Sequence, residues 1–221
     1  MFDITLTFDN GPTPGVTDAV LDVLSGYGIH ATFFVVGQKL ADPDGMRSIA
    51  RAHAEGHWIG NHTWSHPEPF GEWAGSEDPV VEIVSTQRAI AKFTHRDRFF
   101  RPAAGGGYLD SRLLSPAALA CIKAEKMTLV LWNCVPRDWE NTRHWVSVAM
   151  QQVRQSPWSL IVLHDTDTGA MHQLPRFIDS VLDAGGRFRQ EFPAECVPIV
   201  RGEETAPVDR YVAAARRREH V

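Results

Sequence analysis

The stretch that decides the fold covers residues 4–14 and reads Ile4-Thr5-Leu6-Thr7-Phe8-Asp9-Asn10-Gly11-Pro12-Thr13-Pro14. Its first five residues alternate apolar side chains with threonine, and all five favour β-strands. Gly11 and Pro12 then end the strand abruptly. Asp9 and Asn10 are therefore predicted at the carboxyl end of a first strand, the edge at which barrels of parallel strands assemble their active sites. Taken alone, the segment fits a surface turn equally well, because short motifs give many false matches.

The rest of the chain alternates strand-length apolar runs with helical patterns. The patterns predict further strands at residues 31–36, 57–61, 127–132 and 160–163, a fourth strand from residue 99 that Pro102 breaks, and a last short strand near Phe188. They predict helices at residues 16–27, 46–54, 80–93, 113–124, 142–155 and 174–184. Such alternation is typical of parallel strands joined by crossover helices, in either an open sheet or a barrel.

Ionisable side chains follow five of the predicted strands, and their placement favours a barrel over an open sheet. They are Asp9, His62, His66, Arg101, Asp138, His164 and Asp165. Side chains after so many strands converge only if the strand ends form a ring.

Length and composition predict one domain over residues 1–200, followed by a charged, solvated tail over residues 201–221. A chain of 221 residues with 43% hydrophobic residues can bury one large core. The net charge of −5 argues against nucleic acid or anionic membranes as partners.

The cellular compartment is predicted to be the cytoplasm. The first strand begins by Ile4, which leaves no room for a signal peptide, and no apolar run approaches membrane-spanning length. Cys121, Cys134 and Cys196 lack metal or redox spacing and are expected to be small buried hydrophobes in a reducing compartment.

His62 and His66 form the best metal signal in the chain. They are four residues apart, so a helical turn after the third strand would place both imidazoles on one face, where they can bind one cation. A cation held by two histidines and an oxygen donor leaves positions open for water and a substrate carbonyl, and lowers the pKa of that water to about 7. A pair of surface or capping histidines is the alternative, which the spacing alone disfavours only modestly.

Amide hydrolysis also requires a base for the water and an acid for the leaving amine. Asp9 is the candidate base and His164 the candidate acid. Arg101 would keep a neighbouring carboxylate ionised, and Asp138 would help an imidazole to keep its proton. A purely structural Arg101–Asp138 ion pair is an alternative that is compatible with this function.

Five separated motifs, taken together, resemble the polysaccharide deacetylase family of the carbohydrate esterase family 4 type, whose members share the NodB homology domain. The motifs are Thr-Phe-Asp-Asn-Gly-Pro at 7–12, His-Thr-Trp-Ser-His at 62–66, Arg-Pro-Ala-Ala-Gly at 101–105, Arg-Asp-Trp at 137–139 and Leu-His-Asp at 163–165. Members of this family hydrolyse N- or O-acetyl groups on chitin, chitooligosaccharides, peptidoglycan and xylan. Five motifs matching in order are far more specific than any one of them.

The resemblance implies a distorted (β/α) barrel with about seven parallel strands. It implies a metal-assisted hydrolase that removes acetyl groups from an N-acetylated sugar, an oligosaccharide or a related small amide. In that interpretation Asp9 is the catalytic base, His164 the general acid, Arg101 the residue that orients Asp9, and Asp138 the residue that tunes the charged network.

The resemblance also implies a divalent metal, such as zinc, and a substrate pocket. His62 and His66 would be metal ligands. Trp139 and Leu163 would wall the acetyl pocket, and Trp64 could face a sugar ring. The oxyanion donor of the family, a backbone N–H, corresponds here to about Ala104.

Two residues depart from the family pattern. Asn10 replaces the aspartate that is the third metal ligand, and an amide oxygen coordinates without a negative charge, so binding of the cation is expected to be weakened or lost. Ala104 replaces an aromatic residue that helps to line the sugar groove, which leaves the substrate preference open.

Three functions therefore stay open at this point. The first is the metal-assisted deacetylase. The second is a metal-poor pseudoenzyme or carbohydrate-binding domain that has kept the fold. The third is a metal-independent amidohydrolase that acts on a non-sugar amide. Retention of both a candidate base and a candidate acid, Asp9 and His164, favours an enzyme.

Overall fold

The computed structural model describes residues 1–73 and 78–214, and its sheet is organised around β1, which pairs with three other strands. The strands are β1 (Phe2–Asp9), β2 (Thr32–Val35), β3 (Trp58–Asn61), β4 (Phe99–Phe100), β5 (Thr128–Leu129), β6 (Trp158–His164), β7 (Gly186–Arg189), β8 (Ile199–Val200) and β9 (Glu203–Glu204). The helices are α1 (Val16–Tyr27), α2 (Pro43–Ala54), α3 (Pro79–Ala89), α4 (Pro116–Ala124), α5 (Trp145–Val153) and α6 (Leu174–Asp183). None of the helices in these two ranges has the length and apolarity needed to cross a membrane.

Seven parallel strands form the barrel, as the sequence predicted. One edge of β1 pairs with β6 along residues 3–9. The other edge pairs with β7 through residues 2–5 and then with β2 through residues 7–9. From β2 the parallel order continues through β3 and β4 to β5.

The ring is closed by the segment that follows β5. The backbone N–H groups of Asn133 and Cys134 donate to the Leu160 carbonyl, and Val162 N–H donates to the Cys134 carbonyl. These bonds join the segment that follows β5 to β6 and so close the ring. Because β4 and β5 pair over only two residues each, the barrel is distorted on this side.

Alternation along β1 separates a core-facing side from a site-facing side. Ile4, Leu6 and Phe8 are fully buried in the hydrophobic cluster that includes α1 and α6. Thr7 and Asp9 lie on the opposite side, where both side chains bind Arg101. The alternation of apolar and polar residues along β1 therefore places the Asp9 side chain in the barrel mouth.

The C-terminal region corrects the predicted domain boundary at residue 200. β8 pairs antiparallel with both β5 and β9, so residues 199–204 form a hairpin on the sheet. Val208 and Tyr211 are 1% and 2% exposed, and the Tyr211 carbonyl accepts from Leu114 N–H. A free tail is thus wrong for residues 201–214, because the hairpin and two buried apolar side chains attach the segment to the fold, although most of its other side chains stay exposed. Residues 215–221 lie outside the described part of the chain.

Candidate active site

Arg101 and Asp9 form a buried ion pair at the floor of the barrel mouth. Arg101 is fully buried, and its Nη1 donates to Asp9 Oδ1 at 2.8 Å and to Thr7 Oγ1 at 2.7 Å. Its other nitrogens donate to the carbonyls of Val130 and Leu131. A guanidinium so fully satisfied is rigid, so it holds the carboxylate in one orientation.

His62 presents a free ring nitrogen to the same carboxylate. Its Nδ1 lies 2.8 Å from the Arg101 carbonyl oxygen, which can only accept, so Nδ1 carries the proton. Nε2 is left with its lone pair and lies 3.7 Å from Asp9 Oδ2. Burial is the main cause that lowers the pKa of His62 to about 3, so the imidazole is neutral. A neutral imidazole whose Nδ1 is held by a carbonyl is the form that binds metals.

His66 lies beside His62 on the exposed rim. The two ring centroids are 5.0 Å apart, at an interplanar angle of 64°. Desolvation lowers the pKa of His66 as well, against the attraction of Asp9. Two neutral imidazoles are thus brought together, but the expected helical turn is wrong, because residues 62–66 form an irregular loop in which Thr63 and His66 have positive φ values.

Asn10 supplies the remaining candidate ligand. Its Oδ1 is buried and has no hydrogen-bond donor within the described ranges. Residues 1–73 and 78–214 contain no group of three or more His, Cys, Asp or Glu side chains placed to hold a metal. By chemistry, an amide oxygen and two neutral imidazoles fit a borderline divalent cation, with a donor set that is weak because it carries no charge. Asn10, however, is not among the residues that line the cavity with His62 and His66.

Asp138 orients the His164 imidazole and raises its pKa. Its Nδ1 lies 2.9 Å from Asp138 Oδ1, while its backbone N–H donates to Asp138 Oδ2 at 2.9 Å. Burial by itself lowers the pKa of His164, but the hydrogen bond and charge of Asp138 outweigh it, and the pKa is raised. Trp139 stands edge-on to the imidazole at 4.8 Å between ring centroids. The ring therefore has a fixed direction, and Asp138 favours its protonated form.

Several of these residues line one cavity of about 30 Å³, more than the roughly 10–15 Å³ that one water molecule requires. Asn10, Arg101 and Asp138 are not among its lining residues. Its walls are Asp9, His62, His66, Pro102, Ala104, Gly107, Trp132, Val135, Trp139, Val162 and His164. The Ala104 N–H donates to no other described residue. The cavity thus combines the Asp9 carboxylate with an imidazole whose raised pKa favours the protonated form, and Ala104 forms part of its wall.

Two side chains of the expected pocket do not line this cavity. Leu163 is fully buried in the hydrophobic core, because alternation along β6 turns it away while Val162 and His164 face the cavity. The Trp64 ring packs so closely on Gly37 that a Cβ there would collide with it.

Sequence reasoning missed Thr7, Val162 and Tyr108. Thr7 shares the Arg101 guanidinium with Asp9, and alternation along β1 could have revealed it. Val162 could have been found by counting back two residues from His164. Tyr108 is 55% exposed and lines a small neighbouring cavity that shares Ala104 with the site. The signal in the sequence was an aromatic residue, Tyr108, four positions after Ala104, where the family pattern has an aromatic side chain that this chain lacks.

Asp165 buttresses the turn after β1. It is fully buried, and its Oδ2 accepts from Thr17 Oγ1 at 2.5 Å. A Cβ at Gly11 would collide with this carboxyl group, so a glycine is required there. Burial raises the pKa of Asp165 to about 7. The carboxyl group packs directly under the turn that follows Asn10.

Comparison with known proteins finds that this chain is similar to deacetylases that act on polysaccharides. Residues 2–124 match the family model described as polysaccharide deacetylase. A chitooligosaccharide deacetylase of Rhizobium leguminosarum bv. phaseoli is 33% identical over 81% of this chain and 79% of its own length. The peptidoglycan-N-acetylmuramic acid deacetylase PdaC of Bacillus subtilis is 31% identical over 82% of this chain, which spans only 36% of PdaC.

A solved structure resembles the fold over most of its length. It is a family 4 acetyl xylan esterase from Clostridium thermocellum in complex with a cobalt ion. The match has a TM-score of 0.65 and 27% identity, and it covers 85% of this chain and 87% of that one.

Proposed function

This chain belongs to the polysaccharide deacetylase family, and we propose that it hydrolyses the acetyl group of an N-acetylated sugar or a related small amide. The observation that carries the proposal is the shared cavity in which Asp9, His62, His66 and His164 meet. Amide hydrolysis needs a base and an acid in the same cavity, whereas a binding module needs neither.

Asp9 is suited to accept the proton of the attacking water. Arg101 engages its Oδ1 at 2.8 Å, and Oδ2 faces Nε2 of His62. The attack forms a bond from the water oxygen to the acetyl carbonyl carbon, and the negative charge that develops on the carbonyl oxygen can be met by the Ala104 N–H. A fixed backbone donor supplies this stabilisation whatever side chain residue 104 carries.

His164 is suited to complete the reaction. Its raised pKa keeps a proton on the ring, and Asp138 holds Nδ1, so Nε2 can donate to the sugar nitrogen as the carbon–nitrogen bond breaks. The products are acetate and the free amine. The proton that Asp9 took from water and the proton that His164 gave balance over one turnover.

We propose zinc as the cation, with His62, His66 and Asn10 as its ligands. When bound, it would polarise the acetyl carbonyl and acidify the attacking water. The donor chemistry of two imidazoles and an amide oxygen supports zinc, as does the cobalt ion in the related esterase.

A metal-poor pseudoenzyme that binds sugar is the second candidate. The neutral Asn10 favours it, because the site lacks an anionic third ligand. A metal-independent amidohydrolase is the third candidate. The ion pair of Asp9 with Arg101 and the pairing of His164 with Asp138 favour it as much as they favour the metal-assisted deacetylase. The predicted cytoplasmic location stays a prediction, which cell fractionation would test.

Metal analysis and an acetate-release assay on the same sample test this proposal. Protein purified without chelator should contain zinc and release acetate from an N-acetylated chitooligosaccharide, with peptidoglycan fragments and acetylated xylan as comparison substrates. Acetate release that survives chelation would favour the metal-independent enzyme. No release from any of the three substrates at saturating zinc would contradict the proposal.

A further inference from the structure

Glu82 is a fully buried carboxylate that binds the loop between the two candidate metal histidines. It lies in the first turn of α3 and has no exposed surface. Its Oε2 accepts from the backbone N–H of Trp64 at 2.9 Å and of Ser65 at 2.8 Å. Its Oε1 accepts from the Ser65 hydroxyl at 2.9 Å. All three donors lie strictly between His62 and His66.

The loop needs such support because its backbone is unusual. Thr63 and His66 have φ values of 66° and 56°, in the left-handed region that residues other than glycine seldom occupy. Conformations of this kind persist only where the surroundings determine them. Without external hydrogen bonds, the loop would relax and the two imidazoles would separate.

Other contacts fix the entry to the loop, and Glu82 fixes its centre. Asn61 accepts from Thr63 N–H at 3.0 Å and donates to the Ile83 carbonyl at 2.8 Å, which ties the strand end to α3. On the opposite side, the N–H groups of Gly37 and Gln38 donate to the carbonyls of Thr63 and Trp64. Within the described ranges, the N–H groups of Trp64 and Ser65 are held by Glu82 alone.

The loop and the carboxylate depend on each other. A buried carboxylate is costly unless hydrogen bonds compensate it. No Lys, Arg or His of residues 1–73 and 78–214 forms an ion pair with Glu82, so the three loop donors and the positive end of α3 supply that compensation. The pairing is therefore reciprocal, and losing either partner leaves the other unsatisfied.

We propose that Glu82 is a positioning residue, which sets the separation of the His62 and His66 imidazoles and so prepares the site for a divalent cation. The metal part of this inference rests on the proposed function. The loop-holding part does not, since it concerns hydrogen bonds within the metal-free protein.

Two conservative variants distinguish the effect of the length of the Glu82 side chain from the effect of its negative charge. In Glu82→Gln, the amide oxygen can accept both backbone N–H groups, and the amide nitrogen can donate to the Ser65 hydroxyl, which also accepts. In Glu82→Asp, the charge stays but the side chain is one methylene shorter, so its oxygens no longer reach the loop. If Glu82 acts by hydrogen-bond geometry, glutamine rescues the loop and aspartate does not.

The control variant is Ile83→Ala, at the next residue of the same helix. Ile83 is fully buried, and its backbone carbonyl, which binds Asn61, is kept by the substitution. The variant lowers the melting temperature by opening a cavity but leaves every hydrogen bond to the loop in place.

The first measurement is zinc affinity by calorimetry on the full chain. Glu82→Asp should weaken zinc binding by about 10- to 100-fold, the usual effect of removing an outer-shell partner, while Glu82→Gln and Ile83→Ala stay within about threefold of wild type. Wild-type affinity in Glu82→Asp would overturn the inference. An equal loss in Ile83→Ala would also overturn it, because the effect would then be general destabilisation of α3.

The second measurement is amide hydrogen exchange of residues 62–66 without metal. Glu82→Asp should accelerate exchange at Trp64 and Ser65 by about 10-fold or more, since both amides lose their acceptor, and Glu82→Gln should not. Unchanged protection in Glu82→Asp would overturn the inference. A wild-type protein that binds no zinc would instead contradict the proposed metal, while the exchange result still decides the role of Glu82.

Discussion

The two oxygens of Asp9 have different neighbours, and this difference assigns the residue its role. Oδ1 is taken by Arg101, whereas Oδ2 faces the His62 imidazole across the cavity. We expect Asp9→Asn to keep zinc affinity but to lose turnover by roughly 10²-fold or more, the usual contribution of a positioned base. His62→Ala should instead abolish zinc binding. Calorimetry and acetate release on both variants test this, and undiminished turnover in Asp9→Asn would remove Asp9 from the mechanism.

Asp138 sets the pH range in which His164 can act as an acid. Asp138 raises the pKa of His164, and an acid must be protonated, so activity should fall as pH rises through that pKa. In Asp138→Asn the anion is gone and burial lowers the pKa, so the alkaline limb of kcat/KM should move to lower pH. The same pairing stabilises the fold fully below pH 6.5, and that contribution is lost as pH rises through the raised pKa. An unshifted alkaline limb in Asp138→Asn would rule out His164 as the titrating acid.

Much of the site could be predicted residue by residue, because four of its polar side chains lie at the end of a strand or directly after it. Asp9, His62, Arg101 and His164 meet for that reason. Glu82 could not be predicted, since it contacts a loop 17 residues away only after α3 packs beside β3. Tertiary contacts of this kind carry no local pattern in the sequence.

Within β6, neighbouring residues have opposite roles, which gives a matched pair of variants. Val162→Leu should narrow the cavity and reduce kcat/KM, with little change in melting temperature. Leu163→Ala should lower the free energy of unfolding by about 2–5 kcal/mol, because it opens a void in the core, and leave the turnover of folded enzyme unchanged. Thermal unfolding and acetate release distinguish the two. The reverse pattern would place Leu163 in the acetyl pocket, as the family resemblance implied.

Element boundaries were less predictable than element types. α1 was predicted at its observed bounds, and the described part of the chain contains six α-helices, the number expected. α2 and α4, however, begin at Pro43 and Pro116, directly after the capping residues Asp42 and Ser115. These cap-proline pairs are stronger start signals than apolar periodicity. β5 is two residues long where six were expected, because the chain leaves the sheet to close the barrel against β6.

At the scale of the whole molecule, the parallel barrel could be predicted from the alternation of elements, but its antiparallel supplement could not. The two-residue strands β8 and β9 are too short to show a period. The buried Val208 and Tyr211, which follow them, are two apolar residues among charged neighbours and form no pattern of their own.

The role of this C-terminal region can be measured directly. Tyr211→Ala should lower the free energy of unfolding by about 3–5 kcal/mol, the usual loss for a buried aromatic side chain. Leu182→Ala, at a side chain of α6 that is 48% exposed, should change it by less than about 0.5 kcal/mol. Equal effects in denaturant unfolding would mean that residues 201–214 behave as the solvated tail first expected.

The most direct test of the central claim is a zinc titration of acetate release, run in parallel on the wild-type protein and Asn10→Asp. The account predicts that wild type releases acetate and that Asn10→Asp reaches half-maximal rate at a lower zinc concentration, because the site gains an anionic ligand. At saturating zinc the rate should rise little or fall, since the added charge weakens the pull of the cation on the water. Release by Asn10→Asp alone would make the natural chain a pseudoenzyme. Identical half-maximal zinc concentrations would contradict the placement of residue 10 at the metal.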